Sequence, residues 1–433
     1  MQKSFNYYRN KRIAVSGASG FIGSYLLNEL SKHSKAAFGL SRKKTKIKKL
    51  KVLKIDLNKE QDIKKIIKKF DIFFHFAADT NLNRAEKNPH QNFTSNVKPI
   101  LNLINHSIKL KKKIKIIFAS TGTVYGLNKK KYVTEEDTPS PITVYDKHKL
   151  LVEKILKTYT SFNIIDSVSL RIQSVYGKSL VKSKDNTRGV LNKIIKKSLT
   201  NRYISVYGGG NYFRNYIHVS DLVNAFLTAG LNKKINGMVL NVGSSKTFKF
   251  IDVCKIIRNE IFNLKNKKIK ILYPNWPINI DLINKRKYVL NCNKFKKITH
   301  WKEKIKIVSG IRSTVNSFQK YWLLMINSFD EKILEEAKDW IVQKQKIVLA
   351  TVIQTWGSSP RQTGSRMIIN NKGDFSGSVS GGCVETAVVR ESLKLLKKKE
   401  DFKRIDFKVS NESAWDVGLA CGGEISVFLE KIN

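Results

Sequence analysis

Cysteine is scarce, at four residues in a chain of 433. So few thiols in so long a chain do not build a disulfide framework, and a reducing cytoplasm is the expected compartment. Long apolar runs are missing too. The nearest to one, YWLLMI (321–326), is far too short to cross a bilayer. The opening MQKSFNYYRNKR has no apolar core of the kind a secretory signal carries. Acidic residues are outnumbered, 34 against 81 lysines and arginines, for a formal net charge of +47. That excess raises the question of a nucleic-acid partner. The cations, however, lie in scattered lysine runs such as 43–51, 111–113 and 265–270, with no arginine-and-aromatic cluster and no nucleic-acid motif. They read as solvated faces, so neither a nucleic-acid nor a membrane partner is expected. Such a field still draws in diphosphate-bearing ligands.

What is present is more specific. KRIAVSG (11–17) reads as a short buried strand ended by glycine, and FIGSYLLNEL (21–30) as the start of an amphipathic helix. Between them Gly17, Gly20 and Gly23 recur every three residues. Gly17 suits a tight turn, Gly20 a close approach of backbone to ligand, and Gly23 close packing of helix on strand. The helix start, at Gly20, Phe21 and Ile22, offers unpaired N–H groups to a pyrophosphate. Further strands at 36–44, 52–57 and 71–79 alternate with helical stretches, which predicts an α/β fold with a parallel, doubly wound sheet of Rossmann type. After the second strand Ser41 and Arg42 stand where an acid would take the ribose 2′-hydroxyl of NAD. An arginine suits the 2′-phosphate of NADP, and both cofactors stay open. Asp56, with Leu57 beside it, is placed to reach adenine. Small Ala77 and Ala78 let backbone approach the cofactor.

IIFASTGTVYG (116–126) reads as a buried strand tipped with hydroxyls, and the following helix, 144–156, carries Tyr145 and Lys149 on one face. A phenol with a pKa near ~10 is a poor base at neutral pH. A neighbouring ammonium is expected to lower that pKa and let the tyrosine exchange a proton with a hydroxyl or ketone. Thr121, at the strand tip, is placed to hold the reacting oxygen. Tyr7/Lys11 and Tyr125/Lys129 have the same spacing, but only Tyr145 both follows a hydroxyl-tipped strand and opens a helix.

Together these stretches resemble the extended short-chain dehydrogenase/reductase family, the nucleotide-sugar epimerases and dehydratases, over about residues 11–321. The resemblance rests on GASGFIG, HFAAD, SNV (95–97), STGTVYG, YDKHK, LRIQSVYG (170–177) and VYGGGNYFRNYIHVSDLVNAF (206–226). It implies NAD or NADP in the glycine loop, with Asn96 of SNV in the cofactor site, and catalytic Thr121, Tyr145 and Lys149. It also implies a nucleotide-sugar substrate touched by Ser174 and Arg214 in a small C-terminal lobe, and a homodimer. The unit is expected over 11–322, with the Rossmann core to about 172 and the substrate-binding parts from 173. Gly122 and Thr123 stand where the family's dehydratases carry an acid pair, so 4,6-dehydration is not expected. Epimerisation at C4 and reduction of a 4-keto sugar both stay open. Ser174 replaces the usual asparagine and leaves the sugar open. Pro99 is expected to kink the helix after Asn96.

The character of the chain then changes. A last amphipathic helix at 308–322 closes the first unit, and a second helix at 330–345 opens with acids, as its dipole favours. A strand–turn–strand rhythm follows, which predicts a separate small α+β domain over 330–433. ATVIQTWGSSPRQTGSRM, GSVSGGCVE and GLACGGEI resemble the N-terminal domain of the xanthine dehydrogenase accessory (XdhC/CoxI) family. That resemblance implies handling of molybdenum cofactor (molybdopterin) for a molybdenum hydroxylase partner. Cys383 and Cys421 are then the candidate cofactor- or sulfur-handling residues; burial as small apolar side chains is the other reading of both. Two cysteines without nearby histidines make a poor zinc site, and no metal is expected. An accessory role in molybdoenzyme maturation is thus a second reading of the chain as a whole. The join has almost no polar linker, and Met325 lies at it. A fusion and two neighbouring reading frames both fit.

Overall fold

Strands Ile13–Ser16, Ile72–His75 and Lys115–Thr121 are buried along nearly their whole length, as strands covered on both faces must be. In the computed structural model they belong to one seven-stranded sheet. Its order is Val239–Val242, Asp166–Ile172, Lys115–Thr121, Ile72–His75, Ile13–Ser16, Ala37–Ser41, Val52–Lys54, and every pairing is parallel. Residues 2–47, 49–181, 188–201, 203–266, 268–277, 280–357, 361, 363–380, 384–398, 400–409 and 423–432 are described. The two faces separate by strand alternation. Ile13, Val15, Phe74 and Ile117 join a core with helices Phe21–Ser31 and Val219–Leu231. Ala14, Phe73, Ile116 and Phe118 join the opposite core, with helices Glu60–Ile67, Lys98–Lys109 and Val144–Ser161. The result is the doubly wound Rossmann-type sheet that the alternation predicts.

Strand order turns around Ile13–Ser16, which lies between its successor and Ile72–His75. Ligands of open parallel sheets bind beyond the carboxyl ends of strands at such a point. The lobe beyond it is built from Ser174–Tyr176, Phe213–His218 and Thr247–Lys249 in one small sheet, two further strand pairs, and helices Val190–Asn201 and Phe250–Lys265. Its apolar core centres on Tyr176, Tyr216, Val253 and Ile257.

Two compact units divide the chain at Phe318 and Gln319. Where the sequence suggests two helices, a single one runs Ile307–Val342, and the division falls inside it. In the second unit the strands run Phe375–Gly377, Arg366–Asn370, Ile347–Gly357, Gly423–Ile432, Phe402–Val409, antiparallel throughout. Val348, Ala350 and Val352 face a core closed by helix Glu385–Lys397. Ile347 on the alternate face packs with Ile333 and Ala337. This is the separate α+β domain that the sequence predicts.

Two expected local features differ. Pro99 does not kink a helix: Pro89–Asn96 ends before it, and Pro99 stands in the first turn of Lys98–Lys109, where its missing N–H costs no hydrogen bond. The third strand stops at Lys54, so Asp56 lies in the following turn.

Candidate active site

The glycine turn is a fitted cradle. Gly17 has φ 68°, and a Cβ there would lie 2.8 Å from the Ala77 amide nitrogen. A Cβ on Gly23 would lie 2.4 Å from the Gly17 carbonyl oxygen, so the helix sits against the turn itself. Ser16 Oγ accepts from the Ala77 N–H at 3.2 Å and lies 3.0 Å from His75 Nδ1, tying the ends of the two strands together. Burial pushes the His75 imidazole down to about 3, so it is neutral. A cleft of about 190 Å³ opens here, lined among others by Gly17, Gly20, Arg42, Asp56, Leu57, Ala77 and Ala78. Phe21, Ile22, Gly23 and Asn96 lie outside its lining. Phe21 and Ile22 pack into the core, and Asn96 grips the Asp79 backbone through its side-chain amide at 2.9 and 3.1 Å. The cleft has the features of a dinucleotide site: a glycine turn with no room for side chains, a helix start, and an exposed arginine where a ribose would lie.

A second cavity of about 240 Å³ is lined by Thr121, Thr123, Tyr145, Gln173, Ser174, Arg214, Asn215, Arg286 and Tyr288, with their neighbours. Tyr145 reaches it as the second residue of its helix. Thr143 caps that helix by accepting the Asp146 N–H at 3.1 Å, and Glu86 Oε1 accepts the Val144 N–H at 2.7 Å. Lys149 follows one turn on. It is 2% exposed, donates to the Ala119 carbonyl at 2.8 Å, and lies 5.7 Å from the Tyr145 ring centroid. Burial lowers its ammonium to about 7, with Glu153 and Asp146 opposing. The Tyr145 phenol is raised by burial and by Asp146, with Arg188 opposing. The expected lowering by an ammonium is therefore reversed here, because burial dominates both groups.

Beneath the cavity, Arg171 and Glu153 form a buried ion pair at 2.7 Å, and Ser120 donates to the same carboxylate. This joins the end of Lys115–Thr121 to the Tyr145 helix. A Cβ on Gly122 would lie 2.6 Å from Leu290 Cδ1 and 3.3 Å from the Ile172 carbonyl oxygen, so a side chain there would have to displace Leu290.

Arg214 is buried, donates to the Phe213 and Asn284 carbonyls at 2.8 and 3.0 Å, and lies with its guanidinium 4.5 Å from the Tyr212 ring centroid. Its guanidinium is lowered to about 10 by burial and then by Arg286. Among the described residues no carboxylate makes an ion pair with Arg214 or Arg286. Both arginines and Ser174 also line a third cavity of about 420 Å³. There Tyr207 stacks on Trp276, 5.6 Å between ring centroids, and Tyr212 on Phe250, 5.2 Å.

Residues 13–243, more than half the chain, match the NAD dependent epimerase/dehydratase family. The chain belongs to that family. Residues 340–406 match the XdhC and CoxI family. UDP-glucose 4-epimerase of Mycoplasma genitalium is 27% identical to the epimerase-family chain over 358 residues, spanning 72% of this chain and 97% of that protein. Among solved structures, UDP-glucose 4-epimerase of Thermotoga maritima with UDP-glucose is similar at TM-score 0.64 and 24% identity, covering 72% of this chain and 99% of that one. UDP-glucuronic acid 4-epimerase of Bacillus cereus, in complex with UDP-glucuronic acid and NAD, is similar at TM-score 0.61 and 21% identity, covering 71% and 99%.

In this epimerase-family chain Thr121, Tyr145, Ser174 and Arg214 come together around one cavity, with Lys149 behind it. Cys383 and Cys421 lie outside the described residues. Cys254 and Cys292 are buried free thiols. Arg286, Tyr288, Gln173 and Asn215 join the site without being expected from the sequence. Arg286 stands in NKRKY, where it is one cation among several. Among the described residues no helix is long and apolar enough to cross a membrane.

Proposed function

We propose that the first unit is an NAD(P)-dependent nucleotide-sugar 4-epimerase. The observation that carries this reading is the pair Arg214 and Arg286, one guanidinium buried and the other half-buried, facing one cavity with no carboxylate between them among the described residues. Two such cations repel each other and call for a dianion, which a nucleoside diphosphate provides. The aromatic floor of Tyr207, Tyr212 and Trp276 suits the base on one side, and Thr121 and Tyr145 suit the sugar on the other. UDP sugars are the first substrates to try, after the similar proteins named above.

The dinucleotide would be held by Gly17, Gly20, Arg42, Asp56, Ala77 and Ala78, and when bound it supplies the two-electron exchange with the sugar carbon. Tyr145 then takes the proton of the reacting hydroxyl and returns it. Lys149, anchored on Ala119 and 5.7 Å from the Tyr145 ring centroid, in its ammonium form works against the burial that keeps the phenol protonated. Thr121 holds the reacting oxygen. Tyr145→Phe is expected to lower turnover at least about 100-fold while the protein keeps its dinucleotide. Full activity in that variant rules the reading out.

Reduction of a 4-keto sugar is the second reading. Arg42, lining the dinucleotide cleft where an acid would select NAD, favours it. The reading for the second unit, handling of molybdenum cofactor for a molybdenum hydroxylase partner, rests on its family match and on Cys383 and Cys421.

A further inference from the structure

Thr121, Thr123 and Asp146 form one hydrogen-bonded line behind the sugar-sized cavity. Thr121 Oγ1 lies 2.6 Å from Thr123 Oγ1, and Thr123 Oγ1 lies 2.5 Å from Asp146 Oδ1. The other carboxylate oxygen accepts from Thr143 Oγ1 at 2.7 Å. Both Thr121 and Thr123 line the cavity, whereas Asp146 is fully buried outside its lining. The acid pair that a dehydratase would carry at 122 and 123 is absent, yet a carboxylate from another element stands one hydroxyl behind Thr121.

The direction of the line follows from what each group is able to do. A carboxylate only accepts, and here each oxygen is taken by a hydroxyl. The proton of Thr123 is committed to Asp146. Thr123 therefore meets Thr121 as an acceptor, and the proton of Thr121 is committed in turn. The Thr123 N–H also donates to Thr121 Oγ1, at 3.2 Å. What Thr121 has left to offer the cavity is a lone pair. Burial raises the Asp146 carboxyl above its ordinary value, the Thr123 and Thr143 hydroxyls and then Arg286 oppose that rise, and Glu86 adds to it; Lys149, Tyr145 and Tyr288 also face it.

We propose that Asp146 is a positioning residue that fixes the polarity of this line, so that Thr121 accepts a hydrogen bond from the resting sugar hydroxyl and favours the alcohol over the ketone. The inference rests on the epimerase reading above. The sugar O–H rests on Thr121 Oγ1 as a hydrogen bond and turns to Tyr145 when its proton is taken; a carbonyl at the same carbon has no proton and leaves Thr121 unmatched. The contact thus returns a keto sugar to the alcohol form and keeps it from accumulating. The bond that differs between the two states is the one from the sugar O–H to Thr121 Oγ1, and nothing else in the line changes protonation.

The full chain with its bound dinucleotide is mixed with UDP-glucose and, separately, UDP-glucuronic acid, and the absorbance of reduced nicotinamide is read at equilibrium. Asp146→Asn turns an NH₂ toward Thr123 and reverses the line. Thr123→Val removes the link and leaves the Thr143 cap intact, so it carries the test alone should Asp146→Asn lose the cap. Both changes free the Thr121 proton to face the sugar. Each is expected to raise the reduced fraction about fivefold, the worth of one hydrogen bond. An unchanged reduced fraction in a variant that folds and keeps its dinucleotide overturns the proposal. Tyr145→Phe separates the two layers. Undiminished turnover there removes the epimerase reading itself, whereas lost turnover there with an unchanged fraction in the other variants removes only the role of Asp146.

Discussion

Gly23 shows most directly how a single residue sets the dinucleotide site. Its missing side chain lets the helix start press against the Gly17 carbonyl, and a methyl group there would lie 2.4 Å from backbone oxygen. Backbone cannot swing aside as a flexible side chain does, so the turn itself must move. Gly23→Ala is expected to destabilise the first unit by about 1–3 kcal/mol and to weaken dinucleotide binding at least about tenfold. Calorimetric titration and thermal melting measure the two effects, and native affinity in the variant would show that the turn tolerates the shift. This residue was legible in the sequence because the contact it makes is local. Arg286 was not, for the opposite reason. It joins Arg214 through the fold of the lobe, and nothing in NKRKY distinguishes it from its neighbours. The Tyr145 phenol was half legible: spacing placed it on one helix face with Lys149, but the direction of its shift depends on burial, which spacing does not report.

Among the elements, the loop after Val239–Val242 is held by charge rather than by apolar packing. Glu303 accepts from the Ser245 N–H and hydroxyl at 3.0 and 2.9 Å, and from Lys296 Nζ at 2.6 Å, so it ties that loop to helix Asn293–Thr299. Burial works to raise the carboxyl, but these donors together outweigh it and hold the group at about 2. A carboxylate whose folded pKa is depressed contributes stability in full above its unfolded value, and the contribution is lost as pH falls toward the folded value. Wild type is therefore expected to melt above Glu303→Gln near pH 6, and the gap to close between about pH 4.5 and pH 2. Salt narrows the gap, since the pair is partly exposed. A gap that stays constant across that window would refute the assignment. Element types were legible wherever period and burial agreed, as in the strands of the large sheet. Boundaries were not. Pro99 was read as a kink because sequence alone does not show that a helix ends at Asn96 and another starts at Lys98. The helix Ile307–Val342 was read as two because the composition changes within it while the helical period does not.

At the scale of the molecule, the apolar cores of the two units have no residue in common among the described residues. Each unit closes its own sheets, and the glycine cradle belongs to the first alone. Cooperativity follows shared burial, so a chain with separate cores unfolds in separate steps. Two thermal transitions are expected from the full chain. A dinucleotide that binds only the folded first unit stabilises that unit by about 2.7 kcal/mol at a hundredfold excess over its Kd and leaves the other unmoved. Conversely, Val427 is fully buried in the second sheet, and Val427→Asp places a charge in that core with no partner built for it. It is expected to lower or abolish the transition that ignores dinucleotide and to preserve the one that responds. Differential scanning calorimetry of wild type and variant, with and without NAD or NADP, distinguishes the cases and shows which dinucleotide gives the larger shift. Arg42 predicts the larger shift with NADP, because a 2′-phosphate placed beside it gains a charge-assisted partner that NAD lacks. A single transition that moves as a whole with dinucleotide, and is lost as a whole in Val427→Asp, would mean that the two cores fold as one.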